Sequence, residues 1–105
     1  MIVNDALTLV DSIISVDSIS NVERLHPEAT SLIFEVNGTG EFSVRFEMSP
    51  NGTDWYGIQE LDKFSSDSVQ SISDSINIFR QLRAKIDIGP NGGTVTVCKV
   101  HFRKE

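Results

Sequence analysis

The chain has a single cysteine, Cys98, so it closes no internal disulfide, and a reducing origin is the expectation. Basic residues are scarce: nine Lys and Arg stand against fifteen Asp and Glu, a formal charge of −6. The one local basic cluster is Arg103-Lys104. A phosphate backbone needs a basic patch, so no nucleic-acid partner is expected. Long apolar runs are also missing. Nothing approaches the roughly 18–20 residues that a membrane-spanning helix requires. The opening stretch MIVNDALTLVDS lacks the positive region and apolar core of a signal peptide, so none is expected there and no membrane partner is expected. Tryptophan and tyrosine each occur once.

The motifs of common catalytic chemistries are absent too: there is no HExxH, CxxC or GxSxG. Of the two histidines, His26 precedes Pro27 and His101 lies in the last strand-like run. Cys98 and His101, three apart, point to opposite faces of a strand and could meet as thiol and base only through a bulge. An inert, buried Cys98 is the expectation. Glu60 and Asp62 share strand parity, but shared parity does not make two carboxylates converge on a cleft. The twelve-residue spacing of an EF-hand is absent. The expectation is therefore no catalytic residue, no cofactor, no metal and no enzymatic activity.

Alternation dominates what is present. Leu32, Phe34 and Val36 share one parity, as do Phe42, Val44, Phe46 and Met48, and Leu82, Ala84, Ile86 and Ile88. Their neighbours are mostly polar, which is the pattern of half-buried antiparallel strands. Gly- and Asn-rich punctuation separates the runs, at 37–40, 49–52 and 89–93. Hairpins are expected around Gly38, around Asn51-Gly52 and around Asn91-Gly92-Gly93. The two Asn-Gly-Thr triplets match a glycosylation pattern but read better as turns.

The last run, 94–102, switches parity between Val97 and Cys98. Either both of its faces are covered or a bulge near Cys98-Lys99 shifts the phase. The stretch 65–76 has weak helical offsets but low helical propensity, and reads as strand or irregular. Six or more short strands without a convincing helix indicate one all-β domain over 1–105. The expected fold is an antiparallel β-sandwich, jelly-roll or Ig-like, with a small β-barrel as the alternative.

Two features stand outside this pattern. Val10-Asp11-Ser12-Ile13 recurs as Val16-Asp17-Ser18-Ile19, six residues on. Apolar groups there fall on both parities, as in one long strand or a bent pair with a second face to cover. A neighbouring subunit could cover it, so residues 1–20 are candidates for oligomer contacts, Ile14 and Val16 first. The other feature is Trp55-Tyr56. Parity with Ile58 sends Tyr56 inward and Trp55 outward, and leaves Trp55 open as core cover, interface anchor or ligand platform.

Residues 30–59, TSLIFEVNGTGEFSVRFEMSPNGTDWYGIQ, combine Val44, Phe46, Glu47 and Ser49 with Asn51-Gly52, Trp55, Tyr56 and Ile58. This run resembles a segment of small structural proteins of tailed bacteriophages and prophages. Fibronectin-like and carbohydrate-binding sandwiches use a similar grammar. The resemblance implies a non-enzymatic head decoration, head fibre or tail component. Such a part would be assembled in the bacterial host cytoplasm, located in the virion, and would act by self-association and docking to capsid or tail. Its partners would be other virion proteins and further copies of itself, with a trimer favoured. A glycan- or protein-binding module is the alternative. The match is to scaffold positions, so it transfers no binding residue.

Overall fold

The computed structural model describes residues 3–72 and 78–104. Among them are seven strands: β1 (Val3–Val10), β2 (Ser18–Ile19), β3 (Glu23–Arg24), β4 (Thr30–Ser49), β5 (Tyr56–Gly57), β6 (Ser68–Ile72) and β7 (Gln81–Lys104). All pairing is antiparallel. The fold is all-β, as the alternation required.

The architecture rests on two long strands. β4 and β7 pair along almost their whole lengths, from Thr30 opposite Arg103 to Ser49 opposite Gln81. This ribbon bends in the middle. Its first half, residues 30–37 of β4 with 97–104 of β7, is flanked by β1 on the β7 side and β6 on the β4 side. Its second half, 42–49 with 81–88, is flanked by β2 and β3 on one side, and by β5 and a bridge from Phe64 to Val44 on the other. The sheet thereby curls into a half-barrel whose two halves face each other.

The core lies between the halves. Leu32, Phe34 and Val36 from the first half meet Val44, Phe46, Leu82 and Ile86 from the second, all buried. Phe34 and Phe46 stand edge to face with centroids 4.9 Å apart, and Phe46 meets Phe64 the same way at 5.4 Å. Edge-to-face pairs place the positive ring edge on the negative face and add to the gain from burial.

Two of the three expected hairpins are absent. Gly38 and the 89–93 segment sit at the bend of the ribbon, within strands that continue past it. At Gly38 a Cβ would collide with the carbonyl of Thr94 and lie 2.9 Å from the Phe42 ring. Gly40 adopts φ 74°, a left-handed conformation that a side chain disfavours. These glycines allow close strand crossing and bending, not chain reversal. Between Gly40–Gly93 and Phe42–Ile88 the register shifts, because β7 carries Gly89 to Gly92 opposite the single residue Glu41. Asn91 Nδ2 donates to Glu41 at 2.8 Å and fastens this bulge.

The third turn forms, at Asn51-Gly52. Ser49 Oγ, almost fully buried, accepts the N–H groups of Asn51 and Gly52 at 3.2 and 2.8 Å. Asn51 Oδ1 accepts those of Thr53 and Asp54, both at 2.9 Å. This closes an Asx turn before β5.

The parity switch in the last strand is a bulge. Asn37 faces Val97 and Gly38 faces Val95, which leaves Thr96 unpaired, two residues earlier than expected. Its hydroxyl donates to the Asn37 carbonyl at 3.2 Å. Val95 is therefore buried on one parity and Cys98, Val100 and Phe102 on the other. The strand reading of the Ser-rich stretch holds at Ser68–Ile72; residues 73–77 lie outside the described ones. At the N-terminus the bent pair is what forms: β1 lies on the first half of the sheet and β2 on the second, with Ile14 bridging to Val95 between them.

Candidate functional site

The outward face of the first half forms an open groove of about 1030 Å³. Strand register determines its lining. Ala6, His101, Ile33 and Ser71 lie abreast on β1, β7, β4 and β6, and Glu35 and Val69 pair in the next row. All have the parity opposite to the core, so they face outward. Ile33 and Val69 are exposed apolar side chains at diagonal positions on this surface. Asn4, Asp5 and Arg103 complete one side.

The groove contains one tight polar pair. His101 Nε2 lies 2.8 Å from Glu35 Oε1, and Asn37 Nδ2 donates to Glu35 Oε2 at 3.0 Å. The histidine bond, then the Asn37 bond, hold the Glu35 carboxyl below its ordinary value of 4.5. An ionised carboxylate only accepts, so His101 Nε2 donates in this bond. Asp5 is likewise lowered, first by the Ala6 N–H at 2.8 Å and then by Lys104 at 3.4 Å. Ser31, also in the lining, has φ 52°, at the register shift between Thr30 and Ile33. A non-glycine residue in this region stores strain, and strained bulges concentrate at functional surfaces.

Sequence reasoning placed His101 in the last strand, but it did not find the groove. Glu35 and His101 are 66 residues apart, and only the β4–β7 register makes them neighbours.

Trp55 and Tyr56 lie on the second half, away from these lining residues. Arg83 covers Trp55, its guanidinium carbon 4.1 Å from the ring centroid, and Arg83 Nε donates to Glu47 at 2.8 Å. Glu47 and Arg83 are cross-strand partners on the outward face, so Trp55 is outward as expected. Tyr56 departs from expectation. It pairs with Met48, which pairs with buried Leu82, so its parity is inward. Yet it is 52% exposed, at the end of the sandwich, where Phe79 approaches its ring with centroids 6.4 Å apart. Ile58 is buried as read.

The other candidates separate. Ile14 is half-buried against the core, and its backbone is bonded to Val95; Val16 is exposed. Cys98 is buried, and burial raises its thiol to about 12. Glu60 and Asp62 are exposed. Among the described residues no three His, Cys, Asp or Glu side chains gather to hold a metal ion.

No family model and no curated protein matches the chain. A solved structure titled "Crystal structure of PirA" aligns with 94% of this chain and 92% of its own at 15% identity, with a TM-score of 0.42.

Proposed function

We propose that the chain is a non-enzymatic β-sandwich binding module that recognises a polypeptide through the groove beside Glu35 and His101. The observation that supports this most is the pairing of exposed Ile33 and Val69 with a few oriented polar groups along one open groove. Binding pockets combine apolar lining with a small number of placed polar atoms. An aliphatic ligand side chain would sit on Ile33 and Val69, while His101 and Arg103 at the rim set its orientation. A glycan fits less well, because the lining has no Trp or Tyr on which a sugar ring stacks. Cys98, buried and protonated, supplies no nucleophile to this face.

The test is to pan a random peptide library and a glycan array with the native chain and with Ile33→Asp. Peptides that bind the native chain and lose at least about tenfold in affinity on I33D support the reading. Glycans retained in their place, or peptides indifferent to I33D, overturn it.

A second reading is a self-associating virion subunit, the role that the phage resemblance implies. It draws on the exposed side chains of Ile13, Val16, Ile19 and Val22 in the N-terminal third.

A further inference from the structure

β6 is an edge strand: it pairs with β4 alone. The surrounding hydrogen bonds fix which of its backbone groups β4 uses. Ile14 exchanges both backbone bonds with Val95 at 2.9 Å, so Val95 turns its N–H and C=O away from β4. Gly38, directly opposite Val95, therefore turns away from β7. Its N–H accordingly bonds the Asp67 carboxylate at 2.6 Å, on the β6 side. Backbone direction alternates along a strand, so Val36 and Phe34 also point towards β6 and bond their partners Ser68 and Gln70. Val69 and Ser71 alternate with these partners. Their N–H and C=O groups point to the open side, and no described residue bonds any of the four.

The other edge strands are guarded. β2, β3 and β5 have two residues each. On β1, Asp5 Oδ1 takes the Ala6 N–H at 2.8 Å, the register shifts between Thr8 and Val10, and Asp5 and Lys104 place charge beside the strand. Short edges, bulges and charged side chains are the common protections of an exposed edge. β6, Ser68–Ile72, has no charge, no proline and no register shift against β4.

We propose that this edge receives an extended, cationic polypeptide segment as an added strand. The inference rests on the polypeptide-binding reading and names the mode of binding and the chemistry of the ligand. A segment laid along β6 gains main-chain bonds from Val69 and Ser71. Its residues opposite these two present their side chains on the outward face, beside exposed Val69 and Ile33 in the groove. β-Branched side chains suit those positions, because they pack well across a strand pair. Charge selects the rest of the segment. Gln70 holds the Asp62 backbone N–H and C=O at 2.8 and 3.0 Å, which sets exposed Asp62 beside the strand, and exposed Asp67 immediately precedes it. Neither carboxylate has an ion-pair partner among the described residues. Lysine or arginine flanking the β-branched centre complements them. The same carboxylates oppose a second copy, since β6 laid on β6 brings like charges together.

The test is calorimetric titration of the full chain with a capped peptide of alternating valine and threonine that has lysine at both ends, and with its glutamate-ended twin. The expected result is saturable binding of the lysine peptide and at least about tenfold weaker binding of the glutamate one. N-methylation of each peptide amide in turn weakens binding at alternate positions and is tolerated between them, since only every second N–H faces β6. Ser71→Pro deletes an N–H that the β4 ladder does not use, a position where an edge strand tolerates proline. It weakens binding by a similar factor with an unchanged circular dichroism spectrum, whereas Ser71→Ala does not. Should S71P fail to fold, the N-methyl scan on the native chain decides. Equal binding of both peptides overturns the charge selection. Binding indifferent to N-methylation, or weakened alike by S71A and S71P, overturns strand addition; if I33D still abolishes it, the groove reading stands. Binding of neither peptide overturns the inference, and library peptides sensitive to I33D then preserve the groove reading alone. No peptide bound from either source overturns both.

Discussion

Arg83 lies flat over Trp55 while its Nε is bonded to Glu47, so one guanidinium joins the indole to the outward face of the β4–β7 ribbon. The contact holds the end of the Asn51-Gly52 loop against the sheet. Trp55→Ala removes a cation–π contact and a half-buried ring but leaves the core intact. The expected loss is about 1–2 kcal/mol, below the roughly 3–5 kcal/mol of a core aromatic truncation. Urea denaturation measures it, and a loss in the core range would place Trp55 in the core.

Glu35 makes stability depend on pH. Its folded pKa lies below the ordinary 4.5, so the carboxylate contributes stability above that value, and this is lost as pH falls through the folded pKa. Glu35→Gln removes this component. The variant should be less stable than the native chain at pH 7, and the difference should vanish once both pKa values are passed. Thermal melts between neutral and strongly acid pH, compared for the two proteins, read the convergence.

Gly38→Ala tests the bend. Its methyl group meets the Thr94 carbonyl, a backbone atom that cannot rotate aside, and the Phe42 ring. A destabilisation of about 1–3 kcal/mol is expected, the scale of overpacking. The same substitution at Gly92, where nothing lies within 4 Å, tests a different term: its φ of 77° strains any side chain without a collision. Denaturation of the two variants separates steric conflict from backbone strain.

Cys98 should resist thiol reagents in the native state, since burial both hides it and raises its thiol to about 12. Ellman's reagent at pH 8 should label it only on unfolding. Fast labelling of the native chain would mean that the β7 face opens.

Much of the fold was legible in the sequence, for one reason: side-chain parity in β4 and β7 is a local property. Phe34, Phe46, Leu82 and Ile86 were assigned inward by alternation alone, and all are buried. The bend was not legible. Gly38 and Gly92 satisfy the local chemistry of reversals, and only the distant partner strand makes them a curve instead. The groove depends on the same long-range register, which brings Glu35 to His101. In the N-terminal third, alternation left a long strand and a bent pair both open, and only pairing with the distant β7 selects the bent pair. Tyr56 shows the limit of parity: the face was right, but alternation cannot tell where a second layer ends.

The bent ribbon has a mechanical consequence. In a sandwich of two separate sheets, the layers meet only through side chains and can slide or part. Here the same two strands run through both layers, so the halves move against each other only by turning the backbone at Gly38–Glu41 and Gly89–Gly93. The two faces of the molecule, one carrying the groove and the other the Arg83–Trp55 stack, are held in fixed relation by continuous chain. A load on either is carried to the other along the strands.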